Sequence, residues 1–384
     1  MLSEHFKSID LKRNYDTLIK YMITGKKIVV AMSGGVDSSV TAALLKEQGY
    51  EVTGLFMSLG TCLEKLAPRK RACCSTFDAN DARQVAQKLG LDFLVIDFKA
   101  EFEKLIDYFC REYDAGRTPN PCIRCNQDLK FGRLLSYAQN MGAGYIATGH
   151  YARIEYNSHC NRYIIRKGKD EAKDQSYVLF SLTQEQLSRT VLPLGDYTKS
   201  QVRALAKKID LPVQDKPDSQ EICFVPDNNY GNIIRTRLPG RINEGEIRDA
   251  GGKLLGRHPG YQLFTIGQRH GLKIALGEPV YVTQVLPDTN TIIVGPKKEL
   301  ARWTMTVEEI NWVSIEGIKP GESLMAEVKI RYAHRPVRAT VRTVNTQSGV
   351  VKVEFERPEL AITPGQAAVF YQGDVVLGGG WINK

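Results

Sequence analysis

The residues with the clearest chemical potential are two cysteines, Cys122 and Cys125, in the stretch RTPNPCIRCNQDLKFG. A Cys-x-x-Cys pair occurs in zinc half-sites, redox couples, iron–sulfur ligand sets and sulfur-transfer sites. Zinc is the least favoured, because no second Cys-x-x-Cys pair completes a four-ligand site. A further cysteine, Cys223, follows in DKPDSQEICFV. The Pro, Asn, Asp, Ser and Gln residues around Cys125 and Cys223 predict an accessible setting that suits a thiolate of lowered pKa.

A second chemical feature is the glycine-rich segment VVAMSGGVDSS, which follows an apolar run and leads into a helical pattern. Gly34 and Gly35 allow positive φ and close approach of the backbone to a ligand. The hydroxyls of Ser33 and Ser38, with the N–H groups at the start of a helix, would form a cradle for phosphate. Asp37 would repel that phosphate unless Mg²⁺ lies between them, so Asp37 is a candidate Mg²⁺ ligand.

This segment lacks the Gly-Lys-Ser/Thr of the usual P-loop, and the Rossmann fingerprint is also missing. It resembles instead the pyrophosphate loop of the ATP pyrophosphatase superfamily, whose members cleave ATP between its α- and β-phosphates to adenylate a carbonyl oxygen. That superfamily includes amide-forming synthetases and enzymes that thiolate tRNA. The loop alone does not choose between them.

Composition indicates an ordinary globular protein. The 384 residues are 42% hydrophobic and 25% charged, which predicts two or three domains and excludes general disorder. No apolar run approaches the ~20 residues of a membrane span, and no export signal is evident at the start. We therefore expect a cytoplasmic protein with reduced cysteines and no membrane partner. The net charge of +9 weakly favours a polyanionic partner.

The elements that must position these residues alternate in the first half of the chain. Strands are predicted at 27–32, 51–57, 93–98 and 145–150, with helical patterns between them. Such alternation predicts an α/β domain with a parallel sheet covered by helices on both faces. Ligands of these sheets bind at the carboxyl ends of the strands, where the glycine-rich segment lies.

The later part of the chain is predicted to be rich in short β-strands, unlike the first half. We predict an extension over 1–25 that packs on the first domain, an α/β domain over 26–224, a small β-rich domain over 225–296 and a β-barrel over 297–384. In the last of these, VKVEFE alternates apolar and polar residues, and AAVFYQGDVVLGGGWI reads as two strands joined by a Gly-Asp turn.

A series of motifs occurs in a fixed order from about residue 26 to 384: SGGVDSSV, CCS, DARQVAQKLG, TPNP, ATGHYAR, KDQSYVL, PLGDYTKSQVRALA, DSQEICFV, FTIGQRHGL and PGQAAVFY. Together they resemble the tRNA-specific 2-thiouridylases. This resemblance implies an adenine nucleotide α-hydrolase-like domain and ATP-dependent 2-thiolation of the wobble uridine, U34, in the anticodon arm of tRNA. It also implies a sulfur donor, either a protein or a source of sulfide, and no DNA partner.

The resemblance assigns roles to the cysteines. Cys223 matches the carrier of a persulfide and Cys125 the second nucleophile, which ends in a disulfide with it. The chain departs from many relatives at Cys122, where they carry the aspartate of Asn-Pro-Asp-x-x-Cys. Cys122, Cys125 and Cys223 therefore also resemble the ligand set of iron–sulfur-dependent tRNA thiolases, in which a [4Fe–4S] cluster presents sulfide to the base. Both routes stay open, with a slight preference for the cluster.

The resemblance also implies binding residues. Those expected at ATP are Ala31, Met32, Ser33, Gly34, Gly35, Val36, Asp37, Ser38, Met57 and Gly149. Those expected at tRNA are Asn120, Pro121, Cys122, His150, Lys173, Asp174, Gln175, Arg331, Tyr332 and Gln366.

Two other classes of protein compete with this interpretation. One is an amide-forming ATP pyrophosphatase, against which the cysteines and the barrel argue. The other is a non-catalytic, metal-bearing RNA-binding protein, which tRNA-stimulated turnover of ATP would exclude. Cys73 and Cys74 have no assigned role, and Cys62, Cys110 and Cys160 are interpreted as structural.

Overall fold

The computed structural model describes residues 25–59, 76–218, 222–225, 229–274, 277–345 and 349–383. The predicted N-terminal extension up to residue 24 and the cysteines Cys62, Cys73 and Cys74 lie outside these ranges. Within them, no helix is long and apolar enough to cross a membrane.

The described residues contain strands, α-helices and one π-helix. The strands are β1 (Lys27–Ala31), β2 (Glu51–Ser58), β3 (Asp92–Asp97), β4 (Tyr145–Ala147), β5 (Ala152–Asn157), β6 (Arg162–Lys167), β7 (Thr190–Val191), β8 (Gly245–Arg248), β9 (Leu254–His258), β10 (Tyr281–Leu286), β11 (Thr291–Gly295), β12 (Ala301–Trp312), β13 (Ser323–Lys329), β14 (Val337–Asn345), β15 (Val350–Leu360), β16 (Ala367–Gln372) and β17 (Val375–Ile382). The helices are α1 (Val36–Glu47), α2 (Thr76–Leu89), α3 (Lys99–Asp114), α4 (Pro121–Arg124), the π-helix (Cys125–Arg133), α5 (Leu134–Asn140), α6 (Gln184–Ser188), α7 (Lys199–Lys208) and α8 (Tyr230–Arg237).

The first sheet is parallel, with the order β3-β2-β1-β4-β7. This confirms the predicted α/β domain. The central strand β1 is buried on both faces, as is usual in a parallel sheet: Val29 packs into one core cluster, whereas Ile28 and Val30 pack into the other. The edge strand β3 is more exposed, with Leu94 and Val95 at the surface. The predicted strand at 145–150 is shorter than expected, since β4 ends at Ala147 and the chain then enters a loop.

The helices of this domain cover the sheet as predicted, with one difference. The helical pattern of α2 predicts Ala82, Val85, Ala86 and Leu89 on its inward face. The first three are fully buried, and Leu89 is half-buried against the same cluster. Helix α1 begins at Val36, inside the predicted loop, and is buried more widely than an amphipathic pattern implies. The reason is that α1 is covered by α7 as well as by the sheet.

The later part of the chain forms two further sheets. The first is a four-stranded sheet, β10-β11-β8-β9, which confirms the small β-rich region. The second closes into a six-stranded antiparallel barrel, β12-β15-β14-β13-β16-β17, because β17 also pairs with β12. The alternation predicted in VKVEFE is confirmed, since Val351, Val353 and Phe355 all point into the barrel core.

One hairpin joins the first half of the chain to the barrel. Strands β5 and β6 extend the barrel sheet, because Arg166 pairs with Val375 and Ile165 with Val376. Arg166 and Arg153 also donate to the Asp374 carboxylate, at 2.8 and 2.9 Å. The barrel is thus built onto an element that the predicted boundaries place in the α/β domain.

Candidate active site

The glycine-rich loop lies where β1 ends and α1 begins, at the carboxyl edge of the parallel sheet. Gly34 has a φ of +73°, and a Cβ at this position would lie 2.3 Å from the carbonyl oxygen of Asp78. Gly35 is the N-cap of α1 and has an ordinary extended conformation. The loop therefore turns tightly at Gly34 and presents the N-terminus of a 12-residue helix, which suits an anion.

Hydroxyl groups of this loop bond to its own backbone. Ser38 Oγ accepts from the Ser33 N–H at 3.2 Å and donates to the Gly35 carbonyl at 3.2 Å. Ser39 Oγ donates to the same carbonyl at 2.8 Å. These bonds define the shape of the loop before a ligand arrives, which reduces the conformational cost of binding.

The other residues predicted at ATP lie at the same edge of the sheet or just beneath it. Ala31 ends β1, Met57 is the penultimate residue of β2, and Gly149 follows β4 by two residues. The side chains of Met32 and Val36 are buried in the core. Any contact of these two residues with ATP would therefore come from their backbone.

Gly149 packs directly against the N-terminus of α1. A Cβ at this position would lie 2.9 Å from both the Asp37 carbonyl carbon and the Ser38 amide nitrogen, so the site requires glycine for the close approach of two backbones. The next residue, His150, is buried, and its Nδ1 lies 2.7 Å from the Thr148 hydroxyl. Burial lowers the pKa of His150 well below its ordinary value, so its imidazole is neutral at pH 7.

Asp37 is the centre of a network of charges. Both of its carboxylate oxygens lie 2.8 Å from the Nζ of Lys199, and one accepts from the Tyr151 hydroxyl at 2.8 Å. Lys199 also lies 2.7 Å from Asp218, which Lys173 contacts at 2.8 Å. Burial alone would raise the pKa of Asp218, but the bonds from Lys173 and Lys199 outweigh it and lower this pKa to about 2. The predicted Mg²⁺ ligand is therefore ion-paired in this structure.

Lys216 bonds to the glycine-rich loop and to acidic side chains next to it. Its Nζ donates to the Gly34 carbonyl at 2.9 Å and lies 2.6 Å from carboxylate oxygens of Asp78 and Asp81. Sequence reasoning missed both Lys216 and Lys199, although each stands in a quoted motif, DKPDSQEICFV and PLGDYTKSQVRALA. In the sequence each of these residues is a single lysine near acidic residues. Such a lysine does not indicate a functional site until the fold shows which groups it contacts.

The cysteine segment begins with a capped turn of helix. The Asn120 side chain caps α4 by accepting from the Ile123 N–H at 3.4 Å, and Pro121 occupies the first turn, where its missing N–H costs nothing. Cys122 is exposed, and Cys125 is half-buried at the first position of the π-helix. Wide helical turns of this kind are frequent at functional sites.

The thiol pKa values of Cys122 and Cys125 are both raised, which for Cys125 differs from the predicted lowered pKa. Although Cys122 is exposed at the surface, desolvation by the protein atoms around its thiol raises the pKa to about 11, and the neighbouring Cys125 adds to the effect. Burial also raises the pKa of Cys125, opposed by the charge of Lys130. The physical reason is that the Cys125 side chain packs against the hydrophobic core, although the sequence around it is polar.

Cys223 is held next to the same core. Its neighbour Phe224 is buried and makes edge-on contacts with Phe102 and Phe109 of α3, with ring centroids 5.6 and 5.1 Å apart. Cys125 and Cys223 both pack against this cluster. Among the described residues, however, no three His, Cys, Asp or Glu side chains are grouped so as to hold a metal. The described structure therefore gives no support for a [4Fe–4S] cluster on Cys122, Cys125 and Cys223, and the cluster stays a prediction.

Several residues predicted at tRNA have bonds inside the protein. Gln366 Nε2 donates to the carbonyls of Thr118 and Pro119, at 2.9 and 3.1 Å, and the Thr118 N–H donates to the Pro364 carbonyl at 2.9 Å. Gln366 therefore holds the chain just before Asn120. Whether it also contacts tRNA stays a prediction.

In the predicted tRNA-binding segment Lys173-Asp174-Gln175, two residues also have hydrogen bonds inside the protein. Asp174 is buried, and its carboxylate accepts three hydrogen bonds from neighbouring groups of its own loop. Gln175 Oε1 accepts from the Tyr151 N–H at 3.0 Å. Arg331 and Tyr332 are exposed in the turn that follows β13, although Arg331 also donates to the Leu360 carbonyl at 3.5 Å and Tyr332 contacts the Tyr177 ring.

Three family models match successive parts of the chain. They are described as a tRNA methyl transferase HUP domain over 26–227, a tRNA methyl transferase PRC-barrel domain over 232–296 and an aminomethyltransferase β-barrel domain over 302–382.

The curated relatives match almost end to end. The chain is 49% identical to tRNA-specific 2-thiouridylase MnmA of Carboxydothermus hydrogenoformans, over 94% of this chain and 99% of the relative. It is 48% identical to the protein of that name from Clostridium perfringens strain ATCC 13124, with the same coverage. Among solved structures, NMN synthetase of Francisella tularensis matches 59% of this chain and 85% of its own, at 17% identity and a TM-score of 0.33. This last similarity is too low to support an argument.

Proposed function

The chain belongs to the family of tRNA-specific 2-thiouridylases, and we propose that it uses ATP to replace the C2 oxygen of the wobble uridine of tRNA with sulfur. The observation that carries this proposal is the tight loop at Gly34, which places the N-terminus of α1 at the carboxyl edge of the sheet. That edge is where a nucleotide is expected in an α/β domain.

In the first step the uridine O2 attacks the α-phosphorus of ATP, and the bond to the β-phosphate breaks to release pyrophosphate. The N–H groups at the start of α1 would stabilise the charge on the phosphates. Asp37 would supply an oxygen ligand to Mg²⁺, which screens the charge of the triphosphate. Lys199, which contacts both Asp37 and Asp218 in this structure, would then keep its contact with Asp218 and be available to the phosphates.

Before the second step, the Cys223 thiolate takes the outer sulfur from a donor persulfide, whose own thiolate is the leaving group. The resulting persulfide on Cys223 then attacks C2 through its terminal sulfur, and AMP leaves. The thiolate of Cys125 then attacks Sγ of Cys223 and breaks the S–S bond. The sulfur that stays on C2 is reduced, while the two cysteines are oxidised to a disulfide, so the electrons balance. A thiol reductant must restore the pair before the next cycle. Cys125 and Cys223 both pack against the large apolar cluster of this domain, and their pairing rests on the resemblance of their motifs to those of the family.

The cluster route is not part of this mechanism. It was favoured slightly by the presence of Cys122, but the three cysteines are not grouped as ligands in the described structure. In the persulfide route Cys122 replaces an aspartate that relatives are expected to use for proton transfer. With a pKa of about 11, its thiol is a weak acid and could only donate a proton.

The test uses the whole chain with unmodified tRNA, Mg·ATP, a low-molecular-weight persulfide that can transfer its outer sulfur to Cys223, and a thiol reductant that restores the cysteine pair. Nucleoside mass spectrometry is expected to detect 2-thiouridine, with one pyrophosphate released for each, and Cys125→Ala and Cys223→Ala are expected to abolish the product. The family-model descriptions suggest methyl transfer instead, so a parallel reaction contains a methyl donor. Methylated uridine without 2-thiouridine would refute the proposal, and so would amide formation without tRNA.

A further inference from the structure

The segment that carries the catalytic cysteines is held by the C-terminal barrel. Arg124, which directly precedes Cys125, donates through Nη2 to Glu309 Oε2 at 2.8 Å. Its guanidinium also lies over the ring of Trp381, 4.5 Å from the centroid. Glu309 and Trp381 belong to β12 and β17, the two strands whose pairing closes the barrel.

The backbone at Glu309 shows that this contact is built into the barrel. The β12–β17 register shifts between Glu308 and Asn311, and Glu309 has a φ of +50°, in the left-handed region that non-glycine residues rarely adopt. A bulge of this kind redirects a side chain out of the regular alternation of a strand. Here the redirected side chain reaches Arg124.

The same segment has a second attachment to the barrel, at its other end. Gln366 and Pro364 bond to the backbone of Thr118 and Pro119, as described above. The barrel therefore holds the chain both before Asn120 and immediately before Cys125. The Arg124–Glu309 pair is partly exposed, so it contributes little to global stability. Its effect must be local.

We propose that Arg124 is a positioning residue for sulfur transfer, through which Glu309 and Trp381 of the barrel set the orientation of Cys125 at the start of the π-helix. This inference rests on the proposed function and extends it, because it makes the barrel part of the catalytic apparatus. A displacement of about 1 Å at a reacting group costs up to a hundredfold in rate, so loss of the attachment is expected to lower sulfur transfer about tenfold.

The test compares Arg124→Gln, Glu309→Gln and the double variant with a matched control, Arg133→Gln. Arg133 has the same kinds of contact, an ion pair with Glu101 at 3.1 Å and a ring beneath its guanidinium, but both partners lie in the α/β domain. Three quantities are measured: 2-thiouridine formed, pyrophosphate released with tRNA, and the rate at which iodoacetamide labels Cys125 without substrates.

In Arg124→Gln and Glu309→Gln we expect about tenfold less 2-thiouridine per minute, pyrophosphate release within about twofold of wild type, and labelling of Cys125 changed at least about threefold. The double variant should be no worse than the more affected single variant, because both remove one contact. Equal effects in Arg133→Gln, or unchanged labelling of Cys125, would overturn the proposal. The labelling rate needs no catalysis, so it decides the inference even if the wild type makes no 2-thiouridine and the proposed function fails.

Discussion

Replacing Gly34 with alanine tests whether the glycine-rich loop has the geometry described above. The change adds one methyl group, and two features of the structure oppose it. The φ of +73° places the residue in the left-handed region, and the new Cβ would lie 2.3 Å from the Asp78 carbonyl oxygen. Gly35→Ala is the matched control, since its Cβ would meet only the Ser33 hydroxyl, at 3.5 Å, and its φ is ordinary.

The cost of Gly34→Ala can be worked from these contacts. A non-glycine residue in the left-handed region costs about 1–2 kcal/mol. The contact with Asp78 can be relieved only if one backbone moves away from the other. Lys216 bonds to both sides, to the Gly34 carbonyl and to the Asp78 carboxylate, so this movement weakens a hydrogen bond at a further cost of about 1–2 kcal/mol. We expect a total loss of about 2–4 kcal/mol.

Thermal unfolding is the discriminating assay, because both glycines are predicted to face ATP and activity alone would not separate them. We expect Gly34→Ala to lower Tm by about 4–10 °C and Gly35→Ala to stay within about 2 °C of wild type. The KM for ATP should rise in Gly34→Ala, since the displaced loop no longer presents its N–H groups in the same direction. If Gly34→Ala and Gly35→Ala have the same Tm, the described loop geometry is wrong.

Three other predictions address charge and sulfur. Asp218→Asn should remove about 1 kcal/mol of stability, after allowance for solvent screening. The folded pKa is lowered to about 2, so this contribution is present above pH 4 and is lost as the pH falls toward 2. Urea midpoints of variant and wild type should therefore differ at pH 7 and converge near pH 2, and a constant difference would contradict the assignment. The Cys122 thiol should be alkylated slowly at pH 7.5, with a rate that rises about tenfold per pH unit toward its pKa of about 11. Peptide mass spectrometry measures that rate, and a rate independent of pH between 8 and 10 would disagree. Protein purified without oxygen should contain far less than one iron per chain; about four irons and four acid-labile sulfides, lost in Cys122→Ala, would restore the cluster route.

Much of the fold could be predicted because its signals are local. The buried strand at Lys27–Ala31, the inward face of α2 and the alternation at Val351, Val353 and Phe355 all follow from hydrophobic periodicity. The hairpin β5–β6 was not predicted to extend the barrel. Strand pairing between residues two hundred positions apart, such as Arg166 and Val375, leaves no local signal in either strand.

The candidate site likewise has residues that could be predicted from the sequence and residues that could not. The glycine-rich loop was recognised because Gly34 is required by its own backbone geometry. Lys199, Lys216 and Arg124 were missed because each acts through a partner that is distant in sequence. The expectation of an exposed, low-pKa Cys125 was wrong for a related reason: polar neighbours along the chain do not exclude an apolar core in space.

The raised pKa values of Cys122 and Cys125 affect the stage at which sulfur transfer can begin. At pH 7, a thiol with a pKa of about 11 is ionised in roughly one molecule in ten thousand, so Cys122 is protonated at rest, and the raised pKa of Cys125 acts in the same direction. Lys130 opposes burial at both thiols but does not overcome it. A change in the surroundings of Cys125 on substrate binding is therefore expected to favour its thiolate. Because the barrel that is expected to grip tRNA also holds Arg124 beside Cys125, it is the element best placed to couple RNA binding to that change.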